Sequence, residues 1–444
     1  MAHSKYGQTP AVGSVAKRPF VTKDQLDAII ARYPTPLHLY SEKLIRSRMR
    51  ALAQAFAWNP GFKEYFAVKA TPNPEIVSVL VEEGCGCDCA TAPELMLADA
   101  VGVRGHDIML SSNDTPLEDF LLANKLGALI NFDSYELIDF WRTHVGAFPE
   151  TVCVRINPGG SVAAQNTIIG NPQDSKFGMT KEQIKAAIRE LSHEGVKHFG
   201  IHAFLASNTL GNDYYPDLAA RLFHLVVELH AELGVDITFV DLSGGVGVAY
   251  DPSDEPADIM AIGQGVREAY ERIIEPSGLT LSIKTELGRW LLAPAGALIT
   301  RVIHTKHTYK DYLGVDACSA DLIRPMMYGA YHHITVMGKE DAPGEKYYNV
   351  VGGLCENADQ LAHDRLLPEV HVGDVLFIHD AGAHGHAMGF NYNGKLRSKE
   401  VLLTKDGSAR LIRRAETARD LFATLDVTPL GKKLIDQCSA GTYA

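Results

Sequence analysis

A chain of 444 residues, 46% hydrophobic and 22% charged, is long enough for two domains with sizeable cores, and this composition excludes disorder as its default state. With 42 Lys plus Arg against 54 Asp plus Glu, a formal charge of -12, it lacks the basic face that nucleic acid or an anionic membrane requires, so a small-molecule ligand is expected. No apolar run approaches a spanning helix, the first 20 residues read as a flexible lead-in without a signal-peptide centre, and 7 sparse cysteines suit reduced thiols, so a cytoplasmic protein is expected.

Residues 1–40 are expected to form an N-terminal segment that joins a later β domain. From residue 65, short β-rich runs alternate with amphipathic helical stretches. The runs are YFAVKA (65–70), GCDCA (86–90), IMLSSN (108–113), ALINFD (128–133), TVCVRIN (151–157), HFGIHAF (198–204), ITFVDLSGG (237–245) and LSIKTELG (281–288). Helical stretches such as PEIVSVLVEEG and KEQIKAAIRELSHEG lie between them, with capping residues at several starts and Gly after several ends. Eight strands alternating with helices predict a (β/α)8 barrel over residues 41–294. After residue 295 the runs are β-rich and separated by turn residues, which predicts a mostly β C-terminal domain over 295–444.

Chemistry in such barrels gathers where strands end, so the residues closing each run carry the information. They are Lys69, Asp88, Asn113, Asp133, Arg155 with Asn157, His202, the Ser243-Gly244-Gly245 turn, and Glu286. For Asp133 and Asn157 a strand-end side chain satisfied by loop backbone is the expectation. An apolar run ending in Lys69 would bury a strongly hydrated ammonium, unless the side chain simply reaches water along its own stem. A lysine, a flat histidine, a small-residue turn and an acid on one rim favour a stronger reading. Lysine forms Schiff bases, the turn lets backbone N–H groups approach a phosphate, and an acid keeps a pyridine nitrogen protonated. Pyridoxal 5′-phosphate meets all of these demands.

The segments YFAVKA, DSKFG, GIHAFLASN, DLSGGVG, TELGRW, LIRPMMYGAYHHI, LCENAD, GDVLFIHDAGAHGHAMGFNYN and RLIRRAET resemble, in order and spacing, the motifs of diaminopimelate decarboxylase. That family belongs to the alanine-racemase-fold pyridoxal-phosphate decarboxylases, with the ornithine and arginine decarboxylases, and the resemblance runs from about residue 30 to 430. It implies a carboxy-lyase in which Lys69 is the Schiff-base lysine, His202 stacks on the cofactor ring, and Glu286 faces its nitrogen. Ser207 and the Gly244-Gly245 turn would hold the phosphate, with Asp88, Gly288 and Arg289 also at the cofactor. Arg289 would lie near the substrate too, and Arg324 and Tyr328 would grip a distal carboxylate. A guanidinium fork suits a carboxylate and repels the ammonium of ornithine. Cys355, as proton donor, and Glu356, at the distal amine, would come from a second subunit, so a homodimer with shared sites is implied. The implied reaction is decarboxylation of meso-2,6-diaminopimelate to L-lysine, the alternative being another basic or specialised amino acid such as ornithine, arginine or carboxynorspermidine.

The chain departs from the family pattern in four places. Phe204 replaces a second histidine, Ser243 the first glycine of a triple, Leu287 the proline of Glu-Pro-Gly-Arg, and His384 the tyrosine of Gly-Ala-Tyr. The last would contact cofactor and substrate, and imidazole changes both the shape and the pH response of the pocket. Two other patterns point elsewhere. Cys85, Cys87 and Cys89 alternate onto one strand face and read as buried small side chains rather than metal ligands, since no second Cys/His pair lies nearby. The stretch with His379, Asp380, His384 and His386 invites a metal-dependent barrel hydrolase, but it lies in the β domain, far past the last barrel strand. A catalytically silent family member is a third possibility, against which Lys69 and Cys355 both stand.

Overall fold

The computed structural model describes residues 17–159 and 174–439, so the first 16 residues of the expected lead-in lie outside it. The chain divides into two units: one comprises Leu44–Ala249 and Glu255–Leu291, the other the chain on either side of it together with Tyr250–Asp254. Strand β1 (Leu37–Ser41), buried along its whole length, belongs to the second unit.

Eight parallel strands close the first unit into a barrel: β2 (Lys63–Ala67), β3 (Gly86–Cys89), β4 (Ile108–Ser111), β5 (Leu129–Phe132), β6 (Thr151–Arg155), β7 (His198–His202), β8 (Asp236–Asp241) and β9 (Ser282–Thr285). This is the (β/α)8 barrel that the alternating runs predict. The strands are apolar on both faces because one face packs on the helices and the other fills the barrel, where Tyr65, Met109, Leu129, Cys153 and Phe239 form a layer. Lys284 enters that layer as well, its Nζ donating to Tyr65 Oη at 2.9 Å and lying 4.8 Å from the ring centroids of both Tyr65 and Phe239. The closing seam is short, with Lys63 opposite Lys284 and Glu64 opposite Thr285 as its register.

Local chemistry sets where the helices begin. Asn73 Oδ1 accepts from the Glu75 N–H at 3.1 Å, and Pro74, with no N–H to satisfy, starts the helix Pro74–Glu82. Thr180 and Gln183 form a reciprocal capping box ahead of Lys181–His193. The long helix Tyr214–Leu233 turns Leu218, Leu222, Val226 and Leu229 inward at helical spacing. Among the described residues, no helix is long and apolar enough to cross a membrane.

The second unit is mostly β. Its strands are β10 (Gly296–His307), β11 (Asp311–Val315), β12 (Ile334–Val336), β13 (Lys346–Val351), β14 (Gln360–Leu367), β15 (Val375–Ile378), β16 (Lys399–Leu403) and β17 (Ala409–Arg413). They run in the order β14, β13, β11, β10, β1, β16, β17, with β15 paired to both β10 and β12. One core gathers Leu298, Leu313, Val350, Leu361 and Leu376. A second packs the helix Lys23–Arg32, through Leu26, Ile29 and Ile30, against Leu37, Leu39 and Phe377.

Candidate active site

The strand β2 stops at Ala67, and Val68–Ala70 forms a single 3-10 turn, so Lys69 stands just beyond the strand rather than on it. Its side chain is 55% exposed, with Nζ 3.8 Å from Asp88 Oδ2. Burial of this amine, which the apolar run implied, is therefore corrected: Val68 and Ala70 are buried and the lysine between them is turned outward. Gly288 makes the approach possible, because a β carbon there would lie 2.7 Å from Ala70 Cβ and 3.2 Å from Ala67 Cβ. The lysine turn and the loop after β9 thus touch at a point where no side chain fits.

Glu286 follows β9 and is buried. Its Oε2 accepts from Ser243 Oγ at 2.6 Å and pairs with His202 Nε2 at 3.2 Å, so Nε2 carries the imidazole proton. Burial would push this carboxyl up, but His202, Lys69 and the Ser243 hydroxyl outweigh it and hold Glu286 low, at about 2. Three neighbouring carboxyls go the other way. Burial drives Asp88 and Asp241 well above the usual carboxylate range, with the charge of Glu286 adding to it, and burial does the same to Glu64. Among these four acids Glu286 is the one pushed down. His202 is also buried, and burial pushes its imidazole down, against the pull of Glu286.

The loops after β7 and β8 are knitted together. Thr209 N–H donates to Gly245 O at 2.9 Å, Gly247 N–H to Thr209 O at 2.8 Å, and Val248 N–H to Asn208 Oδ1 at 2.9 Å. Ser207 is thereby brought to the Gly244-Gly245 turn, and Arg289 Nη2 reaches Ser207 Oγ at 3.5 Å. Gly245 has φ +124°, and a β carbon on it would lie 2.7 Å from the Tyr214 ring, so the turn tolerates no side chain.

Two residues of this site escaped the sequence reading. Asp241, fully buried at the end of β8, accepts the Ser243 N–H at 2.7 Å and shapes the turn. Glu64, on β2, accepts the Leu287 N–H at 2.6 Å and is hydrogen-bonded to the Thr285 hydroxyl, so it clasps both neighbours of Glu286. The available signal was a carboxyl residue inside an apolar strand run. Asp133 does accept from loop backbone, the Gly178 N–H, and also from Arg155 Nη1 at 3.0 Å. Asn157 does meet loop backbone, through Phe177 O and Gly159 N–H.

The second unit carries the remaining candidates. Arg324 is 4% exposed, donates to His332 Nε2 at 2.8 Å and lies 4.2 Å from the Tyr250 ring centroid. Tyr328, four residues on in the same short helix, is exposed. Cys355 is an exposed free thiol whose backbone N–H donates to Asn393 Oδ1, and Glu356, also exposed, accepts from Ala358 N–H. His384 is half-buried, with φ +55°. His379 bonds Thr335 Oγ1, and His386 bonds Ser398 O and Arg397. Among the described residues, the group of His, Cys, Asp or Glu able to share one ion is His202, Asp241 and Glu286, in the barrel.

The sequence model of one protein family, pyridoxal-dependent decarboxylase, pyridoxal binding domain, matches residues 42–293. Protein TabA of Pseudomonas amygdali pv. tabaci is 40% identical over 95% of this chain and 97% of its own length. Diaminopimelate decarboxylase of Methanothermobacter thermautotrophicus is 32% identical over 88% of this chain and 91% of its own. The crystal structure of diaminopimelate decarboxylase from M. jannaschii with L-lysine superposes with a TM-score of 0.83 at 30% identity, covering 91% of this chain and 94% of that one. The Helicobacter pylori enzyme with L-lysine gives 0.82 at 27%, covering 90% and 99%. The barrel residues fit the cofactor that these relationships imply. Glu286 Oε1 and His202 Nδ1 are buried side-chain atoms with no hydrogen-bond partner, as a polar ring seated over them would require.

Proposed function

The chain belongs to the pyridoxal-dependent decarboxylases, its cofactor is pyridoxal 5′-phosphate, and from that premise we propose that it converts meso-2,6-diaminopimelate to L-lysine and CO2. When bound, the cofactor supplies an electron sink for the bond that releases CO2. The chain's own residues do the rest. The Lys69 amine would be the group that holds the cofactor's aldehyde carbon. His202 would pack against the ring, Glu286 would keep the ring nitrogen protonated, and Ser207 with Gly244, Gly245, Gly288 and Arg289 would cradle the phosphate. Asp88 stands near the lysine amine. Cys355 returns a proton to the substrate carbon, Glu356 and Tyr328 meet the substrate's far end, and His384 lines the cofactor and substrate pocket. We propose a homodimer in which Cys355 and Glu356 serve the partner's site.

Arg324 carries the substrate assignment. A guanidinium this buried, already aligned by His332 and Tyr250, is prepared for a carboxylate and hostile to an ammonium. A second reading, a different diamino or specialised amino acid, is favoured by the 40% identity to TabA against 32% to the diaminopimelate decarboxylase, and by His384. A CO2-release panel of meso-diaminopimelate, ornithine, lysine, arginine and carboxynorspermidine separates them. Diaminopimelate should be the best substrate, and Arg324→Ala should lower its kcat/KM by about a hundredfold or more. Faster turnover of any monocarboxylic diamine by the wild type rejects the proposal.

A further inference from the structure

Ser243 has φ +54°, in the left-handed region that residues with a β carbon avoid. Strain of this kind persists where surrounding structure holds it, and all of this residue's polar groups are engaged around Glu286. The N–H donates to Asp241 Oδ1 at 2.7 Å, and the carbonyl accepts the Glu286 N–H at 2.9 Å and the Tyr215 hydroxyl at 2.5 Å. The hydroxyl donates to Glu286 Oε2 at 2.6 Å. One residue therefore grips Glu286 by both main chain and side chain. With His202 Nε2 also on Oε2, that oxygen is taken, while Oε1 is buried without a partner. Glycine at this position would adopt the same backbone freely and leave Oε2 to His202 alone.

We propose that Ser243 is a positioning residue for the cofactor: its hydroxyl fixes the Glu286 carboxylate in one rotation, leaving Oε1 as the single open acceptor for a protonated ring nitrogen. This rests on the placement of Glu286 at that nitrogen. A carboxylate already pinned at one oxygen needs no reordering when the ring arrives, so its ordering cost is met in the apoprotein. Glu64 works in the same sense on the backbone, holding Leu287 N–H and Thr285 Oγ1 on either side. Leu287 supplies an N–H that a proline there would lack.

The test is the Kd of the apoprotein for pyridoxine 5′-phosphate, which keeps the ring nitrogen and phosphate but has an alcohol in place of the aldehyde and so cannot bond to Lys69. Ser243→Ala and Ser243→Gly should each weaken binding about tenfold. Ser243→Gly, relieved of the left-handed strain, should melt no lower than the wild type, so a folding defect cannot account for its loss. In a Glu286→Ala background, removing the hydroxyl should change Kd by less than about twofold, because the hydroxyl acts through that carboxylate. An equal loss in both backgrounds overturns the proposal. So does an unchanged Kd in both Ser243 variants when Glu286→Ala does weaken binding, and this leaves the placement of Glu286 intact. If Glu286→Ala leaves Kd unchanged, the placement of Glu286 fails and the role of Ser243 fails with it.

Discussion

His332 Nε2 accepts a hydrogen bond from the Arg324 guanidinium at 2.8 Å, while its Nδ1 donates to the carbonyl of His379 at 2.8 Å. Two contacts of opposite sense fix one neutral tautomer, since a protonated ring would direct an N–H at a guanidinium. His332→Leu removes the acceptor and leaves a buried cationic donor short of a partner, at a cost of about 1–3 kcal/mol. Denaturant unfolding should show that loss. If Arg324 holds a substrate carboxylate, the same variant should raise KM more than it lowers kcat.

Acid should weaken the second unit through its buried histidines. Burial, with His386 nearby, lowers His38 to about 4, burial with His333 lowers His379 to about 2, and burial with Arg324 puts His332 well below its usual value. Each is neutral in the fold and titrates near 6.5 when unfolded, so the unfolded chain binds more protons as pH drops. The stability they contribute is complete above pH 6.5 and is lost progressively below it. Three such groups together should cost about 4 kcal/mol between pH 7.5 and 5.5. Because the raised acids of the barrel act in the opposite sense, the check compares melting across that range for the wild type and a His38→Gln/His379→Gln variant, and an equal pH dependence in both would contradict the neutral assignment.

Breaking one half of the Asp133–Arg155 pair should be costly. The two side chains meet at 3.0 Å with 4% and 7% of their residues exposed, and the guanidinium lies 4.5 Å from the Phe177 ring centroid. Asp133→Ala leaves an uncompensated buried charge, for a loss of about 3–5 kcal/mol. Replacing both residues by apolar ones should cost less than the single change, which a double-mutant series of thermal melts measures.

Gly245→Ala places a methyl group against the Tyr214 ring and the Ala206 carbonyl, on a backbone that L-residues avoid. We expect a stability loss of about 1–3 kcal/mol. Cofactor affinity should fall by about tenfold or more, as the turn shifts away from the phosphate. Equilibrium dialysis of pyridoxal 5′-phosphate against the variant is the measurement.

The proposed sharing of active sites between subunits has a direct assay. Lys69→Ala and Cys355→Ala should each be nearly inactive alone. Refolded together, random pairing leaves one intact site in each mixed dimer and should restore about a quarter of wild-type activity. No recovery would place both residues' functions within one chain.

The barrel was legible because buried parallel strands leave continuous apolar runs, and several runs here are followed by a helix-starting residue. Lys69, His202 and Glu286 stood out for a related reason, as polar residues closing apolar segments. The turn at Val68–Ala70 was hidden, since nothing in YFAVKA marks where a strand gives way to a 3-10 turn. Ser243 read as part of a small-residue turn and as a missing glycine, and Glu64 as one letter in a strand. Their roles depend on partners 43 and 223 residues away, at Glu286 and Leu287, which no local pattern encodes.

The seam between β2 and β9 joins Glu64 to a residue 221 positions later. During synthesis at ordinary rates, on the order of 10–40 s separates the emergence of Lys69 from that of Glu286. Until the last strand docks, Lys69 has Asp88 from the neighbouring strand beside it but lacks Glu286 on its rim. On the proposed placement of Lys69 and Glu286, a chain without β9 should hold cofactor weakly, and firm retention should report that the ring of strands has closed.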